Sequence, residues 1–428
     1  MSTNNQETLI DQETQAQLES YIKQEEGDSN DYRGFLGIFI TLVAVGMSLF
    51  HLYAAYSIVT TQVLRTVHVG LVLFLVYLSF PIANRFKNRL MWWDILFAIG
   101  SLYVVYYALS GGDDFMDRNT APNSMDIWVG LGLILLILEG IRRTNGMILL
   151  LVTVSFICYA LFGNFLPAPW THKGYDLARL VGYMYMTLEG IFSTAVDVSS
   201  TLIILFTIFG AFLQFTGAGK FFIDFSFAAM GGKSSGVGRT IVMSSFLLGG
   251  PSGSGVATTV TVGSVAASML NKIGYDKNAA GGLLAAGGLG AIISPPVLGA
   301  AAFLIADFLK ISYLDVLLMA TIPTILFYLG LFVMVEIDVR KYSLHSQNFS
   351  ATETAWGLTK KYWYHFFSLI SIVVFMLLGF SPVMSVFWAT VTSALTSMFR
   401  SDTAILSWDW LRGREPLIKG LYLSLIHI

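Results

Sequence analysis

The amino-acid sequence predicts an all-α, polytopic membrane protein with about ten spans and one re-entrant helical hairpin. Three observations carry this. Only 12% of the 428 residues are charged, where a soluble domain has roughly 25%, and mean hydropathy is +0.67. Apolar runs of about 20 residues, long enough to cross a hydrocarbon core of roughly 30 Å, recur along the chain. Two apolar regions are interrupted by helix-hostile residues: Gly249-Gly250-Pro251-Ser252-Gly253-Ser254-Gly255, and Ser294-Pro295-Pro296. In hydrocarbon an unsatisfied backbone N–H or C=O costs several kcal/mol, so broken helix survives at that depth only inside protein or beside a watery cavity. Two such breaks point to a path for a solute and an ion.

Residues 1–33 are polar and acidic, with Glu7, Asp11, Glu13, Glu19, Glu25, Glu26, Asp28 and Asp31, and read as a cytoplasmic tail. Four spans follow: Phe35–Val59, Val67–Ala83, Trp92–Leu109 and Met125–Ile141. Lys and Arg accumulate on the cytoplasmic side of a membrane protein. Arg85, Lys87 and Arg89 follow the second span and Arg142-Arg143 the fourth, while Asp113, Asp114, Asp117 and Asp126 lie between the third and fourth. Both ends of a four-helix unit at 34–143, and the N-terminus, are therefore expected in the cytoplasm. Trp92 and Trp93 suit the membrane boundary.

Met147–Leu166 crosses outward to a turn with Pro167, Pro169, Trp170 and His172. Asp176–Ser199 carries Glu189 and Asp197 and reads as an amphipathic or interfacial helix; eight residues apart, the two carboxylates share one side of it. They face water, or else relay protons or tie moving parts together. Thr201–Phe215 returns inward.

Next, Lys233 and Arg239 precede one apolar arm, Thr240–Gly249, and Lys272 and Lys277 follow the other, Val256–Leu270. The first arm reaches only about 15 Å at 1.5 Å per residue. Basic residues at both outer ends make a hairpin (239–271) that enters and leaves on the same side. Asn278–Phe308 is broken at Ser294-Pro295-Pro296, because Pro lacks a donor and clashes with the preceding turn; the broken helix is assigned to 278–309. Tyr313–Val335, His365–Phe380 and Val383–Phe399 complete the spans, and the position of Ile428 after a Trp-rich polar stretch suggests a truncated product.

Gly249 through Ala257, Gly274-Tyr275, Ser294-Pro295-Pro296 and the run Pro295–Phe303 resemble the large permease subunit of tripartite ATP-independent periplasmic (TRAP) transporters, in the form fused behind a small four-helix subunit. The resemblance implies an elevator-type fold of inverted repeats, with a first repeat at 144–343 and a second, mostly missing, starting at 344–428. It also implies sodium-driven uptake of a small organic acid delivered by a periplasmic solute-binding protein, in a bacterial inner membrane. A stand-alone sodium/dicarboxylate symporter is the alternative in the same class; a channel or non-transporting scaffold is the alternative outside it.

Sodium is a hard cation that several oxygens can hold, and unwound backbone with Ser or Thr hydroxyls supplies them. Ser252, Gly253, Ser254, Thr258, Ser294 and Pro295 are the candidate ion- and substrate-binding residues, with Ser252, Ser254 and Ser294 as sodium ligands. Gly250, Pro251, Gly255 and Pro296 supply the breaks. The helix N-terminus near Val256 favours an anionic group. The competing reading of the Gly/Ser cluster is close helix packing. No other cofactor is expected, and nothing suggests nucleic acid. His51 and His68 read as hydrogen-bonded packing residues and the lone Cys158 as inert packing. Asp113-Asp114-Phe115-Met116-Asp117, Gly232-Lys233-Ser234 and Gly250–Ser254 approach diphosphate, P-loop and nucleophile-elbow motifs, but each lacks a required partner, so no enzyme is expected.

Overall fold

The computed structural model describes residues 29–30, 32, 34–230, 235–252, 255–342 and 353–399. All the regular structure among them is helical. The acidic residues of the tail, as well as Gly253 and Ser254, lie outside the described set. By packing the chain forms two compact bodies that divide between Ser200 and Thr201.

The first body contains α1 (Phe35–Tyr56), α2 (Thr61–Ser79), α3 (Trp92–Ser110), the short α4 (Gly112–Asp117), α5 (Ser124–Thr144), α6 (Met147–Phe162), α7 (Leu177–Met186) and α8 (Thr194–Val198). α3 packs on α2 and α5, and α7 lies against α5. Leu73, Ala98, Val104, Leu133, Val181 and Tyr185 belong to their shared core. Buried polar groups are matched across it. Tyr185 donates to the Val104 carbonyl at 2.8 Å, and the Tyr77 hydroxyl donates to the Leu136 carbonyl. At one end Arg143, fully buried, meets Asp94 at 2.7 Å and Glu139 at 2.8 Å and donates to the Phe80 carbonyl. At the other end Asp126 accepts from Arg118 and Tyr107. That pairing holds the Arg118 guanidinium well above its ordinary range.

His51 and His68 do hydrogen-bond as packing residues would: His51 Nδ1 faces the Met47 carbonyl at 2.7 Å, His68 Nδ1 meets His51 Nε2 at 2.9 Å, and His68 Nε2 meets Ser199 Oγ at 3.0 Å. Cys158 is exposed on α6 rather than packed, because α6 as a whole buries almost none of its surface.

The expected helix over Asp176–Ser199 is two shorter pieces. α7 ends at Met186, residues 187–193 form turns, and α8 continues through a π-helical turn, Ser199–Ile203. Glu189 and Asp197 therefore do not share a helix face. Glu189 is exposed, whereas Asp197 pairs with Arg65 at 3.0 Å. A carboxylate that meets a guanidinium can enter a helical segment that its charge alone would exclude.

The second body contains α9 (Ile204–Phe215), α10 (Ala218–Met230), α11 (Gly236–Ser252), α12 (Gly255–Lys272), α13 (Lys277–Ala291), α14 (Ala300–Leu309), α15 (Tyr313–Lys341), α16 (Ala355–Tyr362), α17 (Tyr364–Leu377) and α18 (Pro382–Ser397). α13 packs on both α11 and α12, and α15 lies along α11, α13 and α14. α9 packs on α18, which pairs with α17.

Among the described residues seven helical segments are long and apolar enough to cross a membrane: α1, α2, α3, α5, Met147–Phe165, Thr194–Gln214 and α15. Gly236–Gly249, α14 and α17 are apolar but shorter. The expected span over 278–309 is not among the seven because its two halves, α13 and α14, are separate helices.

Candidate functional site

Asp276 caps α13, its carboxylate accepting from the Asn278 and Ala279 amides. The helix then runs through a small-residue stretch, Ala279 to Ala291, that lets it enter the groove between α11 and α12. At Gly288 a β-carbon would collide with Thr259 Oγ1 and the Gly255 carbonyl, and at Gly249 one would lie 2.5 Å from Ala291 Cα. Backbones come this close only where one partner has no side chain. Thr259 Oγ1 sits between the carbonyls of Gly255 (2.8 Å) and Leu284 (3.4 Å), joining α12 to α13.

After Ala291 the chain leaves helical geometry until Ala300. Side chains of α15 satisfy the freed backbone. Thr324 Oγ1 donates to the Ile293 carbonyl at 2.6 Å. The Tyr313 hydroxyl accepts from the Leu298 amide at 3.1 Å and reaches the Pro296 carbonyl at 3.4 Å. Ser294 Oγ, completely buried, donates to the Gly290 carbonyl at 2.6 Å and meets the Tyr328 hydroxyl at 3.0 Å. The Gly299 amide closes the loop onto the Ile292 carbonyl at 2.7 Å. Tyr313, Thr324 and Tyr328 lie on one face of α15, since intervals of eleven and four return to similar angles.

The opposite end of α15 locates the helix pair. Arg239, in the first turn of α11, donates to Glu336 at 2.6 Å. Tyr275, just past α12, donates to Asp338 at 2.6 Å, and its hydroxyl pKa is pushed far up by burial and by that carboxylate. Glu336 and Asp338 are two residues apart, so α11 begins and α12 ends at the same end of α15. Ser294 meets α15 at Tyr328, eight residues from Glu336, which is about 12 Å along the axis. Gly249 of α11 lies against Ala291 and Gly255 of α12 against Gly288, immediately before the break. The two interruptions are thus neighbours.

The sequence-derived candidates fall as follows. Thr258 and Ser294 are buried. Pro295 and Pro296 lie in the break. Gly250, Pro251 and Ser252 continue the backbone of α11, so that helix ends two to three residues later than the glycines suggest. Pro251 removes only the bond to Leu247, and one residue follows it before the helix stops. Gly255 opens α12; Gly253 and Ser254 lie outside the described residues. The arms are accordingly 17 and 18 residues long, longer than the about 15 Å expected of the first.

The sequence did not single out Thr240, Ser244 and Ser245. Their hydroxyls are buried on α11 without a hydrogen-bond partner, and Ser245 Oγ points at Gly287 of α13. Three hydroxyls so close together in an apolar helix were the available signal. Among the described residues no group of three or more His, Cys, Asp or Glu could hold a metal ion.

A family model for the tripartite ATP-independent periplasmic transporter, DctM component, matches residues 132–409. The chain belongs to this family. The DctM match begins inside α5 and takes in all the described helices of the second body, including the α11–α12 pair and the break. A DctM permease is a multi-pass membrane transporter component, in keeping with the apolar helices found here. A search among curated proteins returned no match.

Proposed function

We propose that this DctM-family chain is the permease of a sodium-coupled importer that takes a small organic acid from a periplasmic solute-binding protein. In this reading α1, α2, α3 and α5 of the first body act as the small-subunit-like unit. The protein sits in the bacterial inner membrane with its N-terminus in the cytoplasm, and the α11–α12 pair is a re-entrant hairpin in an elevator-type moving part.

The observation that carries the reading is the meeting of two interrupted segments inside the second body, where backbone and hydroxyl oxygens gather. Ser252 and Ser254 from the hairpin and Ser294 from the break would hold sodium. The unpartnered hydroxyls of Thr240, Ser244 and Ser245 support a polar ligand nearby, because a buried orphan costs about 1–3 kcal/mol. Gly253, Thr258 and Pro295 are proposed to face the ion or the carboxylate. One charge crossing 100 mV is worth about 2.3 kcal/mol, so sodium entry can drive accumulation.

The test is uptake of a panel of labelled small carboxylates into proteoliposomes, with and without a sodium gradient and the binding protein. Sodium-dependent accumulation is expected, with Ser294→Ala and the Ser252→Ala, Ser254→Ala pair each raising the sodium requirement. Passive flux indifferent to sodium would end the reading. Unchanged sodium dependence in all the serine variants would displace the site.

A further inference from the structure

We propose that the groove between α3 and α5 of the first body binds one anionic phospholipid as a specific ligand, apart from the general lipid surroundings. The groove has a volume of about 1110 Å3, above the several hundred Å3 of an ordinary small-molecule pocket. Its walls are apolar: Leu96 and Gly100 from α3 and Trp128, Gly132 and Leu135 from α5 line it. Leu96 is 57% and Leu135 65% exposed, so nothing among the described residues covers it. Gly132 opens the floor, since a β-carbon there would touch nothing within 4 Å. Between Trp93 and Val104 the α3 wall runs roughly 16 Å, about the depth of one leaflet.

One end of this channel is basic. Arg85 and Arg142 line it, and Lys87 and Arg89 stand in the same connecting segment. Arg85 lies over the Phe86 ring at 4.5 Å and forms no ion pair among the described residues. Glu139 also lines this end, but Arg142 and the buried Arg143 both pair with it, so its charge is already answered. Arg142 donates to the Ile82 carbonyl as well, which fixes the guanidinium at the mouth. Trp93 adds an indole N–H that meets no acceptor in the protein.

An apolar slot one leaflet deep that ends in unneutralised guanidinium matches an acyl chain joined to a phosphodiester. Basic pockets between spans recognise anionic headgroups in this way. Phosphatidylcholine would fill the slot too, but its choline cation sits beside the phosphodiester and opposes Arg85 and Arg142, while a free phosphate would leave the slot empty.

Native mass spectrometry of the purified full chain, titrated with phosphatidylglycerol or phosphatidylcholine of matched chains, tests this. One phosphatidylglycerol should be retained in preference to phosphatidylcholine. Arg85→Ala should weaken it about fivefold. Gly132→Leu, which fills the slot and favours helix, should weaken it roughly tenfold without unfolding the protein. Lys310→Ala, in the second body, should leave it unchanged. Equal retention of the two lipids, or indifference to Gly132→Leu, would overturn the proposal. So would displacement by inorganic phosphate alone, or retention of a second copy of the chain that Gly132→Leu abolishes.

Discussion

Gly288→Ala probes the contact on which the candidate site is built. Taken alone, glycine in a helix interior is a disadvantage, and alanine there gains roughly 0.5–1 kcal/mol. At Gly288 the added β-carbon meets Thr259 Oγ1, which can rotate away, and the Gly255 carbonyl, which cannot move without shifting α12. Overpacking of this kind costs about 1–3 kcal/mol. Gly282 is on the same helix, one and a half turns earlier, and a β-carbon there meets nothing within 4 Å. Subtracting the effect of Gly282→Ala from that of Gly288→Ala cancels the propensity gain, leaving a packing difference of about 1–3 kcal/mol. Equilibrium unfolding in mixed micelles measures both variants. Gly282→Ala should be as stable as the parent or more so, and Gly288→Ala clearly less. Equal stability of the two would show that α13 does not lie in the α11–α12 groove.

Three further outcomes follow from the same contacts. Tyr313→Phe removes the hydroxyl that serves both the Leu298 amide and the Pro296 carbonyl; it should destabilise the fold by about 1–3 kcal/mol in the same unfolding assay, whereas Tyr328→Phe, which leaves Ser294 bonded to Gly290, should cost about 1 kcal/mol. Arg143→Ala strands the buried Asp94 in the first body, while Glu139 keeps Arg142, and should cost about 3–5 kcal/mol, with Asp94→Asn in the same chain recovering part of it. Arg239→Ala breaks a partly exposed pair with Glu336 and should cost less than about 1 kcal/mol, an effect that added salt erases.

The apolar runs, the acidic segment between α3 and α5 and the residues of the two interruptions were legible because they are local in sequence. The consecutive Pro295 and Pro296 separate α13 from α14, and the alternation of apolar and basic stretches marks helix ends. The partners of those interruptions were not legible. Tyr313, Thr324 and Tyr328 look like ordinary residues of an apolar helix until Ser294 and Ile293 are placed beside them. Arg65 reads as a loop charge because its partner, Asp197, is 132 positions away. The end of α11 was misjudged because glycine and proline disfavour helix without forbidding one more turn, and packing against α13 outweighs that preference.

The central claim is that α11 and α12 turn back on each other, so that their junction meets the break between α13 and α14. A distance measurement by pulsed electron resonance decides it, with spin labels at Arg239→Cys and Lys272→Cys in a Cys158→Ser background, in nanodiscs. Two packed helices lie about 8–10 Å apart, so the labels at one end of the pair should give a distance of roughly 15–25 Å once their linkers are included. A distribution centred near 50 Å, the length of one helix of 33 residues at 1.5 Å each, would contradict the account.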